Sequence, residues 1–154
     1  MRRSVGWVRL LLLSSFALSL FSLAPSRAGA DGAVVRVEIE DLRSDRGEVR
    51  GALFASRSGW AEEGHEIATC VASVHAHHAL CELEGVLPGE YAFAFLHDED
   101  DDGALDRNFI GIPEEGFGFS NDARPGLGAP SYESARFTHD GRETRLVVHA
   151  RYGL

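Results

Sequence analysis

The strongest constraint on this chain is a hydrophobic period of two. Val35, Val37 and Ile39 alternate with Arg36, Glu38 and Glu40, which puts aliphatic side chains on one face of an extended strand and charges on the other. Ser44-Asp45-Arg46-Gly47 reads as a turn, and 48–56 as the next strand, with Val49, Leu53 and Phe54 apolar. Residues 59–64 form a polar loop carrying Trp60. Segments 67–74 and 79–87 make a strand pair, Pro88-Gly89 a tight turn, and 91–96 a nearly continuous apolar run suited to a central strand. At the far end 135–138 and 144–152 are joined by Asp140-Gly141, a hairpin signal. No amphipathic helix of useful length interrupts this pattern. About seven short strands predict an all-β chain, folded as a single antiparallel β-sandwich.

Residues 1–30 stand apart from that pattern and read as an export leader. Arg2, Arg3 and Arg9 precede an apolar run over 10–24, and Ala28-Gly29-Ala30 supplies a small-x-small cleavage site. The run is roughly 15 residues against the ~20 a bilayer needs, so cleavage after Ala30 is expected rather than a retained span. One domain, 31–154, would then be periplasmic or secreted, with no transmembrane segment. Four of the fifteen basic residues and none of the acidic ones precede Asp31. The remainder sets eleven positive charges against twenty-four negative ones, a net −13. Such a surface repels phosphate backbones, which argues against nucleic-acid binding.

Two cysteines, Cys70 and Cys81, suit a disulfide in an exported chain. Cys70, Ala72 and Val74 alternate on one side, with Cys81, Leu83 and Leu87 on the other. A hairpin turning between His75 and Ala76 would place Cys70 opposite Cys81, within disulfide reach.

The chemistry-bearing stretch is Asp98-Glu99-Asp100-Asp101-Asp102-Gly103-Ala104-Leu105-Asp106. Carboxylates this dense repel one another unless a cation sits among them, and D-x-D-x-D-G is the order of a calcium loop. With Asp98 at loop position one, Asp100 and Asp102 fall at three and five, Gly103 at the sharp turn, the Ala104 carbonyl at seven and Asp106 at nine. Position twelve, normally a bidentate Glu, is Phe109, so the last ligand has to come from nearby. Glu114 and Glu115 are the nearest suppliers, and Glu115 completes the expected set. Oxygen-only ligands favour Ca²⁺, at the 10⁻⁵ to 10⁻³ M affinity of the order found in extracellular modules. A solvated acidic turn is the alternative.

Other candidates are weaker. His75, His77 and His78 at the hairpin tip could hold zinc or copper, or simply face water. His97 could orient Asp98 or act as a base, and Ser120 beside Asn121 and Asp122 supplies the residue types of a nucleophile set without fixing their geometry. Segment 107–134 is rich in glycine and proline. It also holds Phe109, Ile110, Phe117, Phe119 and Tyr132, which give a loop something to pack with, so an ordered loop over one end of the sandwich is expected.

Leu87-Pro88-Gly89-Glu90-Tyr91, His97-Asp98-Glu99, Gly103, Leu105-Asp106, Gly111-Ile112-Pro113, Glu115-Gly116-Phe117-Gly118-Phe119-Ser120-Asn121 and Pro130 together resemble the bacterial DUF2141 family of small exported proteins. The Leu-Pro-Gly-x-Tyr entry is also similar to transthyretin-like and carboxypeptidase-regulatory-like sandwiches, which implies the same fold class. Where that family's stretch reads His-Asp-Glu-Asn-Gly-Asn-Gly, this chain has Asp100, Asp101 and Asp102. Oxygen ligands are kept, and Asp101 replaces a glycine at a position Asp can occupy in the left-handed region. The function expected from the residues is non-enzymatic: a calcium-ordered loop presenting 109–132 to a protein, a carbohydrate or an envelope component. A small hydrolase using His97, or a purely structural envelope domain, are the alternatives.

Overall fold

The structure, a computed structural model, describes residues 33–153; the leader and its cleavage point lie outside the described residues. Eight strands follow in chain order: β1 (Val34–Glu40), β2 (Glu48–Phe54), β3 (Ala68–Ser73), β4 (Ala79–Glu84), β5 (Gly89–Asp98), β6 (Gly116–Phe119), β7 (Phe137–His139) and β8 (Glu143–His149). One sheet has the order β4-β1-β8. The other runs β3-β2-β5-β6, with β7 added against the start of β5. Every ladder is antiparallel except β1–β8. This is the expected all-β sandwich.

Alternation decides which side chains meet between the sheets. Val35, Val37 and Ile39 of β1, Val49 and Leu53 of β2, Cys81 and Leu83 of β4 and Phe93 and Phe95 of β5 are all buried in one core. The complementary residues of β2 and β5, Arg50, Ala52 and Phe54 with Ala92, Ala94 and Leu96, therefore face outward. Part of that outer face is covered by a second cluster. Tyr132 and Ala135 of the helical turn Tyr132–Ala135 pack there with Ala92, Ala123, Trp60 and Phe119. Trp60 stands edge-on to Phe54 at 5.2 Å, and its indole N–H donates to the Pro130 carbonyl.

The disulfide joins Cys70 to Cys81 as expected, but not across a hairpin. β3 and β4 lie in different sheets, so the bond is a staple between edge strands with the Cα atoms 5.8 Å apart. The turn between them is centred one residue later than the sequence suggested. His75 and His78 pair around Ala76 and His77, both in the left-handed region, and Asp45 accepts the Ala76 and His77 amides. Those bonds, the one from His77 foremost, hold the Asp45 carboxyl below its usual range.

Three further expectations are corrected. Leu87 is exposed and Val86 takes its place in the core, because Gly85 at φ 71° ends β4 and resets the alternation. Asp140-Gly141 turns the chain from one sheet to the other, since β7 pairs with β5 and β8 with β1. Within 107–134, Phe117, Phe119 and Tyr132 pack, whereas Phe109 and Ile110 stand in solvent, 99% and 64% exposed.

On the side away from the disulfide, Phe117 and Arg151 exchange backbone hydrogen bonds and tie β6 to the chain following β8. Beside that seam Asp122 accepts both the His149 amide, at 2.9 Å, and its ring Nδ1–H, at 2.8 Å, with Glu40 3.7 Å from Nε2. The bond to Asp122 raises the His149 pKa above its ordinary value, against a smaller opposing effect of burial. The folded state thus favours charged His149. That contribution is complete below the unfolded imidazole range of about 6.5 and is lost as pH rises through the raised folded value.

Two outcomes are expected. Replacing both cysteines by alanine should lower unfolding free energy by about 2–4 kcal/mol in urea titrations, the range for closing a loop this short. The destabilisation caused by Asp122→Asn should be larger at about pH 5.5 than at about pH 8.5; an equal loss at both would show that His149 charge is not part of the seam.

Candidate metal centre and the groove beside it

Asp98 is the last residue of β5, and the strand's alternation turns it to the outer face, where it is wholly buried. The chain then doubles back through Asp101 at φ 62° and Gly103 at φ 84°. Asp thus does occupy the left-handed position, as its short polar side chain permits. The reversal aims two amides at the Asp98 carboxylate: Asp102 N–H at 3.1 Å and Gly103 N–H at 2.8 Å. Ala104 N–H in turn donates to Asp102 Oδ1 at 2.8 Å. Arg50 on β2 brings its Nε to 3.2 Å from Asp98 Oδ2 and 2.8 Å from Glu48.

Glu115 closes the other side. The β5–β6 ladder pairs His97 with Gly116, so Glu115 arrives next to the end of β5, and it is 4% exposed. One of its oxygens accepts the Glu99 amide at 2.7 Å and the other the Asp106 amide at 3.1 Å. Two carboxylate triads result, Asp98–Asp100–Asp102 and Asp100–Asp106–Glu115, each with one oxygen per residue inside a 4.8 Å circle. All five acidic residues expected to act as ligands are therefore brought together, and Ala104 enters through its amide. Glu114 belongs to neither triad; its amide donates to the Asp106 carbonyl. Glu99 turns away to Arg43 and Ser44, which pull its pKa down, Arg43 most. Asp106 is pushed the opposite way, first by burial and then by Asp100, Asp102, Glu114 and Asp98.

The remaining sequence candidates do not converge. His97 points inward, fully buried, between the Tyr152 hydroxyl and the Arg46 carbonyl, each 2.9 Å away. A carbonyl can only accept, so Nε2 carries the proton and Nδ1 takes the hydroxyl's. His97 thus orients neither Asp98 nor a nucleophile. Ser120 is buried too, bonded to the Phe93 backbone and the Ala135 carbonyl, four residues or about 13 Å along β5 from His97. No nucleophile–base pair exists there. His77 Nδ1 is 2.7 Å from the Leu42 carbonyl, and His75 pairs with His78 across the turn, so the three imidazoles do not form a ligand set among the described residues.

Sequence reasoning missed a groove. The outer face of the larger sheet is open between segments 103–113 and 125–129, leaving a cavity of about 770 Å³ floored by Ala52, Ala94, Leu96, Val71 and Phe117. Its signal was alanine at positions where alternation leads one to expect charge, Ala52 and Ala94, but without the register those could not be aligned. Each wall carries side-chain hydrogen bonds of its own. Segment 106–113 is cross-linked by Asn108, whose Oδ1 accepts the Ile110 and Ile112 amides, and 125–130 is anchored through Trp60.

Glu115→Gln tests the loop without reference to any ion. The amide keeps only one acceptor oxygen for the two backbone donors, so about 1–3 kcal/mol should be lost, and the Glu99 and Asp106 amides should exchange faster with solvent.

No curated protein and no solved structure is significantly similar to the chain. The family model DUF2141, described as an uncharacterized protein conserved in bacteria, matches residues 37–146. That span runs from within β1 to within β8 and takes in β2 to β7, the acidic loop and the groove, and on it the chain belongs to the DUF2141 family.

Proposed function

We propose that this chain is an exported, non-enzymatic β-sandwich whose acidic loop binds Ca²⁺ and thereby fixes one wall of an adjacent binding groove. The observation that carries this reading is the pair of triads sharing Asp100. Oxygens bound to one calcium at about 2.4 Å lie no more than about 4.8 Å apart, and the three carboxylates of each triad meet that limit among themselves. The ligands are oxygen only, with no cysteine or imidazole among them, which favours calcium over zinc or copper. The ion would offset the repulsion that Asp100, Asp102, Glu114 and Asp98 exert on Asp106. The groove then offers the surface for a protein, a carbohydrate or an envelope component. Among the described residues no helix is long and apolar enough to cross a membrane.

Thermal unfolding with and without calcium tests this. At a hundredfold excess over Kd the ion should add about 2.7 kcal/mol, which raises Tm on the order of 10 °C above the value in chelator. Asp100→Asn should abolish that rise. It should also leave the calcium-free protein equal or slightly more stable, because Asp100 belongs to both triads and its removal relieves repulsion. A second reading is favoured by Arg50, whose Nε at 3.2 Å already balances Asp98. On that reading the loop is a structural acidic turn, and Tm is the same in calcium and chelator.

A further inference from the structure

The groove's charges are sorted by end. Ile67 N–H donates to the Leu53 carbonyl and Trp60 packs on Phe54, so the segment carrying Glu62, Glu63 and Glu66 sits at the Phe54 end of β2. These three glutamates line the cavity, and among the described residues none makes an ion pair. Arg50 and Arg107 line it at the other end, where Gly103 approaches Arg50. Arg50 is engaged by Glu48 and Asp98. Among the described residues Arg107 makes no ion pair, and its side chain donates through Nη1 to the Gly111 carbonyl. From Arg50 to Phe54 is four residues, about 13 Å of strand. Between the ends the floor is small and apolar, and Val71 on it is 61% exposed.

We propose that the groove takes a short extended peptide of about four residues, with a basic side chain against Glu62, Glu63 and Glu66, apolar residues over Ala52, Ala94 and Val71, and a free C-terminal carboxylate on Arg107. Charge complementarity selects this occupant. An anionic amphiphile leaves three carboxylates uncompensated beside its apolar chain, and a cationic one leaves Arg107 facing apolar surface. A bipolar molecule of this length meets both ends, and a guanidinium with free N–H groups recognises a carboxylate through charge-assisted bonds. The cavity volume falls in the range of small-ligand sites rather than of a protein interface. This identification deepens the proposed binding role and uses the acidic loop as one wall.

The probe is N-acetyl-Lys-Val-Leu-Val with a free carboxylate, titrated calorimetrically into the purified protein in saturating calcium. Its C-terminal amide, and the analogue with Glu in place of Lys, should each bind about tenfold more weakly. In Arg107→Ala the acid and the amide should bind alike, whereas Arg107→Lys keeps part of the difference. In the Glu63→Gln, Glu66→Gln double variant the gap between the Lys and Glu peptides should narrow. Unchanged melting curves for these surface variants establish that the fold is intact. Absence of saturable binding overturns the proposal, as does acid–amide discrimination that survives Arg107→Ala. Calcium-dependent melting without peptide binding rejects the peptide and leaves the calcium loop standing; peptide binding without calcium-dependent melting does the reverse.

Discussion

Strand β5 is the constraint from which the rest of the structure follows. It pairs with β2 along most of its length, with β7 at its start and with β6 towards its end, so its register fixes three other strands. Its alternation then divides the labour. Tyr91, Phe93, Phe95 and His97 point into the space between the sheets, while Ala92, Ala94, Leu96 and Asp98 build the outer face. Neighbouring residues of one strand serve opposite sides. His97 and Asp98 are adjacent in sequence, yet one is locked between Tyr152 and Arg46 and the other faces the acidic loop.

Glycine lets β6 approach that strand. A Cβ on Gly118 would lie 2.4 Å from the Phe95 ring, and one on Gly116 would lie 2.8 Å from the Tyr152 ring. With no side chain inward, all of the bulk of β6 goes outward as Phe117 and Phe119, opposite Leu96 and Ala94. The short strand therefore closes the core on one side and floors the groove on the other. At the opposite edge the disulfide provides the closure that hydrogen bonds between Phe117 and Arg151 provide here.

Much of this was legible in the sequence, and what was not has a common cause. Period two gave the strands β1 and β2, and a nearly continuous apolar run gave β5, because neither pattern needs a partner to be read. The clustering of the carboxylates was legible for the same reason: their spacing is local, and only Glu115 had to be chosen from a neighbouring pair. Partners were harder. The cysteines read as a hairpin because they flank a turn, whereas β3 and β4 go to different sheets. Asp140-Gly141 reads as a hairpin although the two strands never meet. β6 escaped notice because Gly-Phe-Gly-Phe alternates glycine with bulk rather than polar with apolar. The groove is a property of register alone, since Ala52, Ala94 and Val71 come from three strands.

An isolated EF-hand uses two helices to hold the ends of its loop, and this chain has neither. The β5–β6 ladder takes their place. Pairing of His97 with Gly116 places Asp98 and Glu115 side by side, one at the end of an outgoing strand and the other at the start of the returning one. The backbone at both residues is therefore positioned by the ladder, apart from residues 99–114. Four amides, from Glu99, Asp102, Gly103 and Asp106, then bind the loop to those two carboxylates. Burying two carboxylates is costly unless their lone pairs are occupied, and these donors occupy part of them. Asp100 and Asp106 are left exposed and adjacent to that pair, where every added negative charge raises the free energy of the folded loop. On the proposed calcium reading such a cluster is half organised by the sheet before any ion arrives, and its uncompensated charge lies on the exposed Asp100 and Asp106.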